Sequence, residues 1–531
     1  MMIKYILPFI FISVLAFAQD EKQSNPNVEL PDFVITGTSK ISIKKVDKLK
    51  PDFISTISED FLKPSYAPED LQISEFSNPI KSDMSFLDEV KFFKGNIAAG
   101  LGLYTIPTVR MNYAQPFQNG IVEGTFSGLF NRAHLDNSDR YKTRAGFNLL
   151  YWTDTDAQTL PGTQFNLNAN YGTTSFKFFA SDNPEERRSI NNGKFEIGVK
   201  NDFNRYFLIG LNFTNKVTNI SQEEFKENNL RLKGESLIKL SDFNLGVAVD
   251  YRNHSIKNLL GDKAGKDFLL LRPTAGFQFT ELIKASFGWN FSRGAGNTFN
   301  SPYASTAIRL DKNITLFGEF SPGAQFFSPG DYLIKNNYFR VDSIGTIYWE
   351  KDKSLTASVK FEYNKYFQID GGLNYFTSGA YPYFKSSLDS GKFVLAYADM
   401  KSVGLFANFL FYPGPNGEFY STLKLFDNSD TDGNIIPYTS TFELNAFYSY
   451  KFSEKVKGNL KAEYYSKRYA DIENKISIGD YFNLGVGLIY SIQNNLDLTF
   501  EVNNLVNYKN YFWYGYKEIP LNIIFGIDYR L

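Results

Sequence analysis

Apolar and polar residues alternate with a period of two along most of this chain, and the last eleven residues show it most clearly. Leu521, Ile523, Phe525, Ile527, Tyr529 and Leu531 share one face, while Asn522, Gly526, Asp528 and Arg530 take the other; Ile524 is the one exception. The same scheme returns upstream. Phe195, Ile197 and Val199 alternate with Glu196, Gly198 and Lys200, and Ala285, Phe287, Trp289 and Phe291 alternate with Ser286, Gly288 and Asn290. Leu355, Ala357, Val359, Phe361 and Tyr363 oppose Thr356, Ser358, Lys360 and Glu362, and Phe482 to Tyr490 repeats the pattern. Side chains of a strand point alternately to the two faces of its sheet, so each run predicts a strand with one apolar and one polar face. Turn chemistry separates the runs: Asn119-Gly120, Pro413 to Gly417, Ser453-Glu454-Lys455 and Gln493-Asn494-Asn495. No stretch sustains the 3.6-residue period of a helix.

The N-terminus gives this pattern a location. Lys4, the apolar run Ile6 to Leu15 and Ala16-Phe17-Ala18 before Gln19 have the build of a secretory signal, residues 1–18. The mature chain is then 531 − 18 = 513 residues. No later stretch reaches the roughly 20 apolar residues of a membrane helix, so a membrane-spanning form has to be built from strands closed into a barrel. Span 91–531 holds 531 − 90 = 441 residues. At about 20 residues per strand and connection this predicts roughly 22 strands, within a range of about 18 to 24.

Composition sharpens the prediction. A mean hydropathy of −0.29 looks soluble, yet a barrel with lipid on one side and water on the other has the same average. Aromatic residues make up 17%, with Phe 52 and Tyr 34, which girdles at the two membrane interfaces would account for. Lys plus Arg is 56 against Asp plus Glu 57, so there is no basic surplus of the kind nucleic-acid binding requires. The absence of cysteine excludes disulfides and thiolate metal sites. If both ends of the barrel lie on the periplasmic side, residues 427–438, 467–480 and 506–520 become outer loops, and the turns at 413–416, 453 and 493–495 inner ones. The outer connections then come out longer, as barrels require.

The segment Leu496 to Asn507, followed by Tyr511, Gly515-Tyr516 and Gly526 to Leu531, resembles the C-terminal end of TonB-dependent receptors over residues 481–531. Those receptors close with a strand ending in an Asn-Leu-x-Asn corner, here Asn504 to Asn507, and a terminal strand that carries an insertion signal, here Phe525, Ile527, Tyr529 and Leu531. The resemblance implies an outer-membrane location in a Gram-negative-type bacterium, contact with lipid and with the barrel assembly machinery, and nutrient uptake coupled to TonB. Leu30 to Thr38 resembles the apolar stretch near the box that pairs with TonB, which makes Phe33, Val34, Ile35, Thr36 and Gly37 a candidate contact by strand addition. A linker or a first strand fits this short motif equally well. The family carries a plug domain of well over a hundred residues, whereas 19–90 is short and broken by Pro26, Pro31, Pro51, Pro64, Pro68 and Pro79. This segment is expected to be periplasmic or lumenal.

Candidate chemistry is sparse. His134 and His254 are the only histidines, and neither sits in a sequence pattern that suggests a catalytic triad, so no enzyme activity is expected. Asn428, Asp430, Asp432 and Gly433 follow the spacing of a calcium loop, but the twelfth position is Thr439 instead of Glu, which favours a solvated loop. Gly261 to Lys266 lacks the spacing of a phosphate loop. No cofactor and no metal are expected. Three functions stay open: receptor-like uptake, a plugless diffusion channel resembling porins, and a secreted β-rich binding protein or adhesin.

Overall fold

The computed structural model describes residues 93–202, 206–240, 242–257, 263–294, 296–341, 348–363, 367–387, 391–412 and 417–531. The signal segment 1–18, the Pro-rich segment 19–90 and the candidate TonB contact Phe33 to Gly37 lie outside them. Twenty-two strands form one antiparallel sheet, each paired with its neighbour in sequence. The sheet closes because the first strand, Gly95–Gly102, pairs with both Thr105–Phe117 and the last strand, Asn522–Arg530. The closing register runs from Asn96↔Arg530 to Gly102↔Ile524. The Lys94 N–H donates to the Leu531 carbonyl at 2.9 Å, so both ends of the barrel stand on one rim. A side chain at Gly526 would come within 2.5 Å of Thr499 Oγ1 and 2.9 Å of the Ala99 carbonyl, which is why glycine occupies this place in the seam.

The two faces of the wall follow the alternation. Leu211, Phe287, Leu405, Leu425 and Leu488 are among many large apolar side chains left exposed on the outside. Such a belt is anomalous in water and expected against lipid. The lumen face is polar. Lys360 pairs with Glu362 at 2.6 Å, Lys461 with Glu463 at 2.8 Å and Arg530 with Asp497 at 2.6 Å. Asp528 instead accepts from Asn96 at 3.1 Å. Glu123, Asn148, Asn168 and Asn170 form a continuous ladder of amide hydrogen bonds.

The two rims differ. At the rim carrying the chain ends, most turns are tight, such as 118–119, 281–282, 312–313 and 494–495; residues 153–163 are the long exception. Aromatic side chains flank these turns in rows: Phe117 with Tyr151, Phe361 with Phe367 and then Phe411, and Tyr448 with Tyr450 and then Phe452. They form the interfacial girdle that the composition predicts. At the opposite rim, called the mouth below, the connections are mostly long. The expected outer loops are shifted to 430–441, shortened to 470–476 and lengthened to 504–521; in the first two pairing continues past the predicted start, as in Lys401↔Ser429, and in the third it ends earlier, at Asn503↔Asn522. Strands reach twenty residues, in Phe367–Ser386, against the roughly 9–11 that cross a bilayer. With the girdle at the tight-turn rim, the surplus length projects beyond the membrane at the mouth. Among the described residues, no helix is long and apolar enough to cross a membrane.

Candidate functional site: a capped lumen

The longest described connection, residues 321–352, joins the paired strands Ile314–Phe320 and Lys353–Tyr363. It turns inward. Its first part is a small hairpin, Gly323–Phe326 against Tyr348–Lys351, and its second a seven-residue helix, Pro329–Lys335. Ser328 starts the helix: its Oγ accepts the Asp331 N–H, Asp331 accepts the Ser328 N–H in return, and proline fills the first turn.

Wall side chains hold this inset along its length. Asn290 and Ser301 both donate to the Pro322 carbonyl, at 2.8 and 2.7 Å, and Arg252 donates to the Phe326 carbonyl at 3.1 Å. Glu227, 2% exposed, accepts the Gly330 N–H at 2.6 Å. A Cβ on Gly330 would stand 2.6 Å from Thr218 Oγ1 and 2.8 Å from that carboxylate, so only glycine fits so close to the wall. His254 Nε2 lies 3.2 Å from the other Glu227 oxygen, without hydrogen-bond alignment. Lys216 pairs with Asp331 at 3.1 Å. Burial pushes the Asp331 acid up, but Lys216 and the Ser328 N–H outweigh it and leave the acid below the usual carboxylate range. Past the helix, buried Arg188 donates to the carbonyls of Asn337 and Phe339 at 2.8 and 2.7 Å, and pairs with Glu223 at 2.5 Å. Phe339 then bridges to Phe393 on the other side of the barrel. Tyr332, Leu333, Phe339 and Val341 join wall residues Phe176, Ile190, Ile220 and Phe225 in one apolar core.

The terminal connection, 504–521, meets the inset. Its corner is the Asn-Leu-x-Asn motif. Asn504 and Asn507 take left-handed backbone angles, φ 51° and 53°. The Asn504 side chain accepts from the Tyr508 N–H and donates to the Tyr508 carbonyl, both at 2.9 Å, while Asn507 accepts the Leu521 N–H at 3.1 Å. Asparagine tolerates this conformation and supplies the local bonds that hold it. The loop then places Trp513 against Phe393 and Tyr438, and stacks Tyr516 on Tyr338 with ring centroids 3.5 Å apart. Glu518, half-buried here, has its acid pushed up by desolvation, against opposing pulls from Arg140 and Arg468.

Beneath the inset lies a cavity of about 550 Å³, bounded by Asp331 above and by the lumen faces of strands Gln164–Lys177 through Phe243–Lys257. Its lining includes Lys194, Lys200, Lys216, Arg231, Lys233 and Arg252, against Glu196, Glu235 and Asp331.

The residues singled out from sequence separate clearly. Phe525, Ile527, Tyr529 and Leu531 lie on the outer face of the closing seam, all exposed. His134 lies in a mouth loop, where Nε2 is 3.0 Å from the Lys517 carbonyl and Nδ1 is 3.2 Å from Ser138 Oγ. Ser138 Oγ also accepts the His134 and Leu135 N–H groups, the geometry of a loop cap. Asn428, Asp430, Asp432 and Thr439 do not converge: Asp430 accepts N–H groups of its own turn, and Asn428 accepts from Ser402. No group of three or more metal-type side chains occurs among the described residues. Lys263 to Lys266 belong to a strand, and 258–262 lie outside the described residues. Sequence reasoning missed the inset, although a signal was present. Ser321-Pro322-Gly323 recurs as Ser328-Pro329-Gly330, and the second copy is a helix start followed by Asp331.

Neither a family model nor a curated protein matches the chain by sequence. Solved structures do match in fold, and they share the large barrel of the TonB-dependent receptors. The ferric-catecholate import receptor Fiu of E. coli K12 superposes with a TM-score of 0.63 at 10% identity, over 83% of this chain and 82% of that one. The FrpB iron transporter of Neisseria meningitidis gives 0.62 at 9%, and the siderophore receptor PiuA of Acinetobacter baumannii 0.61 at 10%, each with the same coverage.

Proposed function

We propose that this protein is an outer-membrane transporter that takes up a nutrient too large for simple diffusion pores, in the manner of TonB-dependent receptors. The observation that carries the reading is the capped mouth: an inset bonded across a closed 22-strand barrel, above a charged cavity. A diffusion channel needs a standing opening, whereas an uptake receptor needs a site that holds its cargo before release. The similarity of fold to siderophore and metal receptors agrees with this, as does the C-terminal resemblance. Coupling to TonB rests on Phe33 to Gly37, where strand addition would make main-chain groups the source of affinity. Ile35→Pro removes one backbone donor and restricts Val34, so capture of a soluble TonB C-terminal domain by the full chain is expected to fail while the barrel still folds. Equal capture by both proteins removes the coupling proposal. The channel alternative is a plugless barrel that conducts passively. Planar-bilayer recordings on the full chain separate the two, with a steady large conductance pointing to a channel.

A further inference from the structure

We infer that the cavity beneath the inset is an oxyanion site, and that the cargo carries carboxylate or phosphate groups. The central observation is a pair of guanidiniums sharing one carboxylate. Arg231 donates to Asp250 through Nε at 2.8 Å and Nη2 at 2.6 Å, and Arg252 donates to the same two oxygens at 3.2 and 2.9 Å. Two positive charges against one negative leave this triad cationic. Each guanidinium has five N–H donors; Asp250 engages two of each, and the Phe326 carbonyl takes one more from Arg252. Both arginines are among the residues that line the cavity, and Asp250 is not. The carboxylate thus fixes the two forks in orientation, and fixed forks match the paired oxygens of a carboxylate or phosphate.

Of the lysines that line the cavity, Lys194 is paired with Glu196 at 2.5 Å and Lys216 with Asp331 at 3.1 Å, so the excess positive charge is that of the two arginines, with the neutral amides of Asn212 and Asn229 beside them. Low-dielectric walls concentrate such a field inside a cleft. Across the lumen the charges are mixed and paired, Lys360 with Glu362, Lys424 with Glu443, Lys461 with Glu463 and Arg530 with Asp497. An anionic solute is therefore drawn to one side of the lumen, under the helix that carries Asp331.

The inference deepens the transport reading and depends on it only for the identity of the cargo; binding itself is measurable on purified full-length protein. Titration calorimetry in detergent uses pyrophosphate for the phosphate arm and citrate for the carboxylate arm. Wild type is expected to bind at least one of them, more weakly as salt is raised. Arg231→Gln with Lys233→Gln is expected to weaken binding by about tenfold or more, the usual effect of losing charge-assisted bonds. Lys461→Gln, on the far wall, is expected to leave it unchanged, and circular dichroism checks that each variant keeps its strands. No binding by wild type, or equal loss in both variants, overturns the site. Binding that behaves as expected, with equal uptake of the bound anion by intact cells that carry the protein and by cells that lack it, keeps the site and removes the transport reading alone.

Discussion

The two rims of this barrel are made from the same strands and follow opposite rules. At the tight-turn rim, aromatic rings point outward and stack along the membrane interface, and few side chains are needed to close each turn. At the mouth, aromatic rings point inward and bury one another, so Tyr338 on Tyr516 and Phe393 beneath Trp513 form a core where a simple barrel would be open. The first rim is held by backbone pairing, the second by side-chain packing and buried ion pairs. Changes at the wall should therefore disturb assembly, and changes at the mouth should disturb only the cap.

The strongest test of this division is deletion of residues 525–531. The first strand, Gly95–Gly102, would lose most of its partner, and each unpaired backbone group in lipid costs several kcal/mol. No folded protein is expected in the outer membrane, as judged by protease-resistant barrel; normal levels would show that the seam is dispensable. Next in size is Leu488→Arg. Leu488 is on the outer face, six residues before the turn at 494–495, and a charge near the bilayer midplane costs about 2–4 kcal/mol in folding into vesicles. Phe361→Arg, two residues from its strand end, should cost only about 0–1 kcal/mol.

The mouth predicts a different kind of loss. Glu227→Ala removes the acceptor of the Gly330 N–H and leaves His254 facing an apolar side chain, a local cost of about 1–3 kcal/mol. Amide exchange should accelerate in residues 327–341 while the strands keep their protection. A uniform acceleration would mean that cap and wall are one cooperative unit. The smallest effect concerns pH. Burial, together with Lys517 and Arg140, holds the His134 pKa below its ordinary value of 6.5, although the Lys517 carbonyl opposes them. The neutral ring is thus favoured in the closed loop. The contact with residue 517 is complete above pH 6.5 and weakens as pH falls through that value toward the lowered one. Amide protection factors in 132–139, which correct for the slower intrinsic exchange in acid, should be lower at pH 5.5 than at 7.5, and His134→Gln should flatten that dependence.

How legible each rim was in the sequence follows from the same physics. A lipid-facing strand writes itself into every second residue, so Phe287, Leu405 and Leu488 announce the outer face without reference to any partner. Side and loop parity followed as well, because each turn reverses direction. The cap left no such trace. Glu227, Arg188 and Lys216 look like any lumen-facing charges in alternation; their task depends on Gly330, Asn337 and Asp331, over a hundred residues away, which only the closed barrel brings near. The Asn504 to Asn507 corner was legible because its bonds are local. The Arg231–Asp250–Arg252 triad was not, because it spans two strands whose register the sequence leaves open.

Phe317 to Phe320 stay paired with Ser358 to Leu355, so the inset leaves and re-enters the wall at adjacent positions. Its length and sequence therefore place no demand on barrel register. Residues 321–352 are thus a replaceable module: another segment could be grafted between Phe320 and Lys353 without moving a strand pairing, and the only wall groups it would leave in need of new partners are those such as Asn290, Ser301, Arg252 and Glu227.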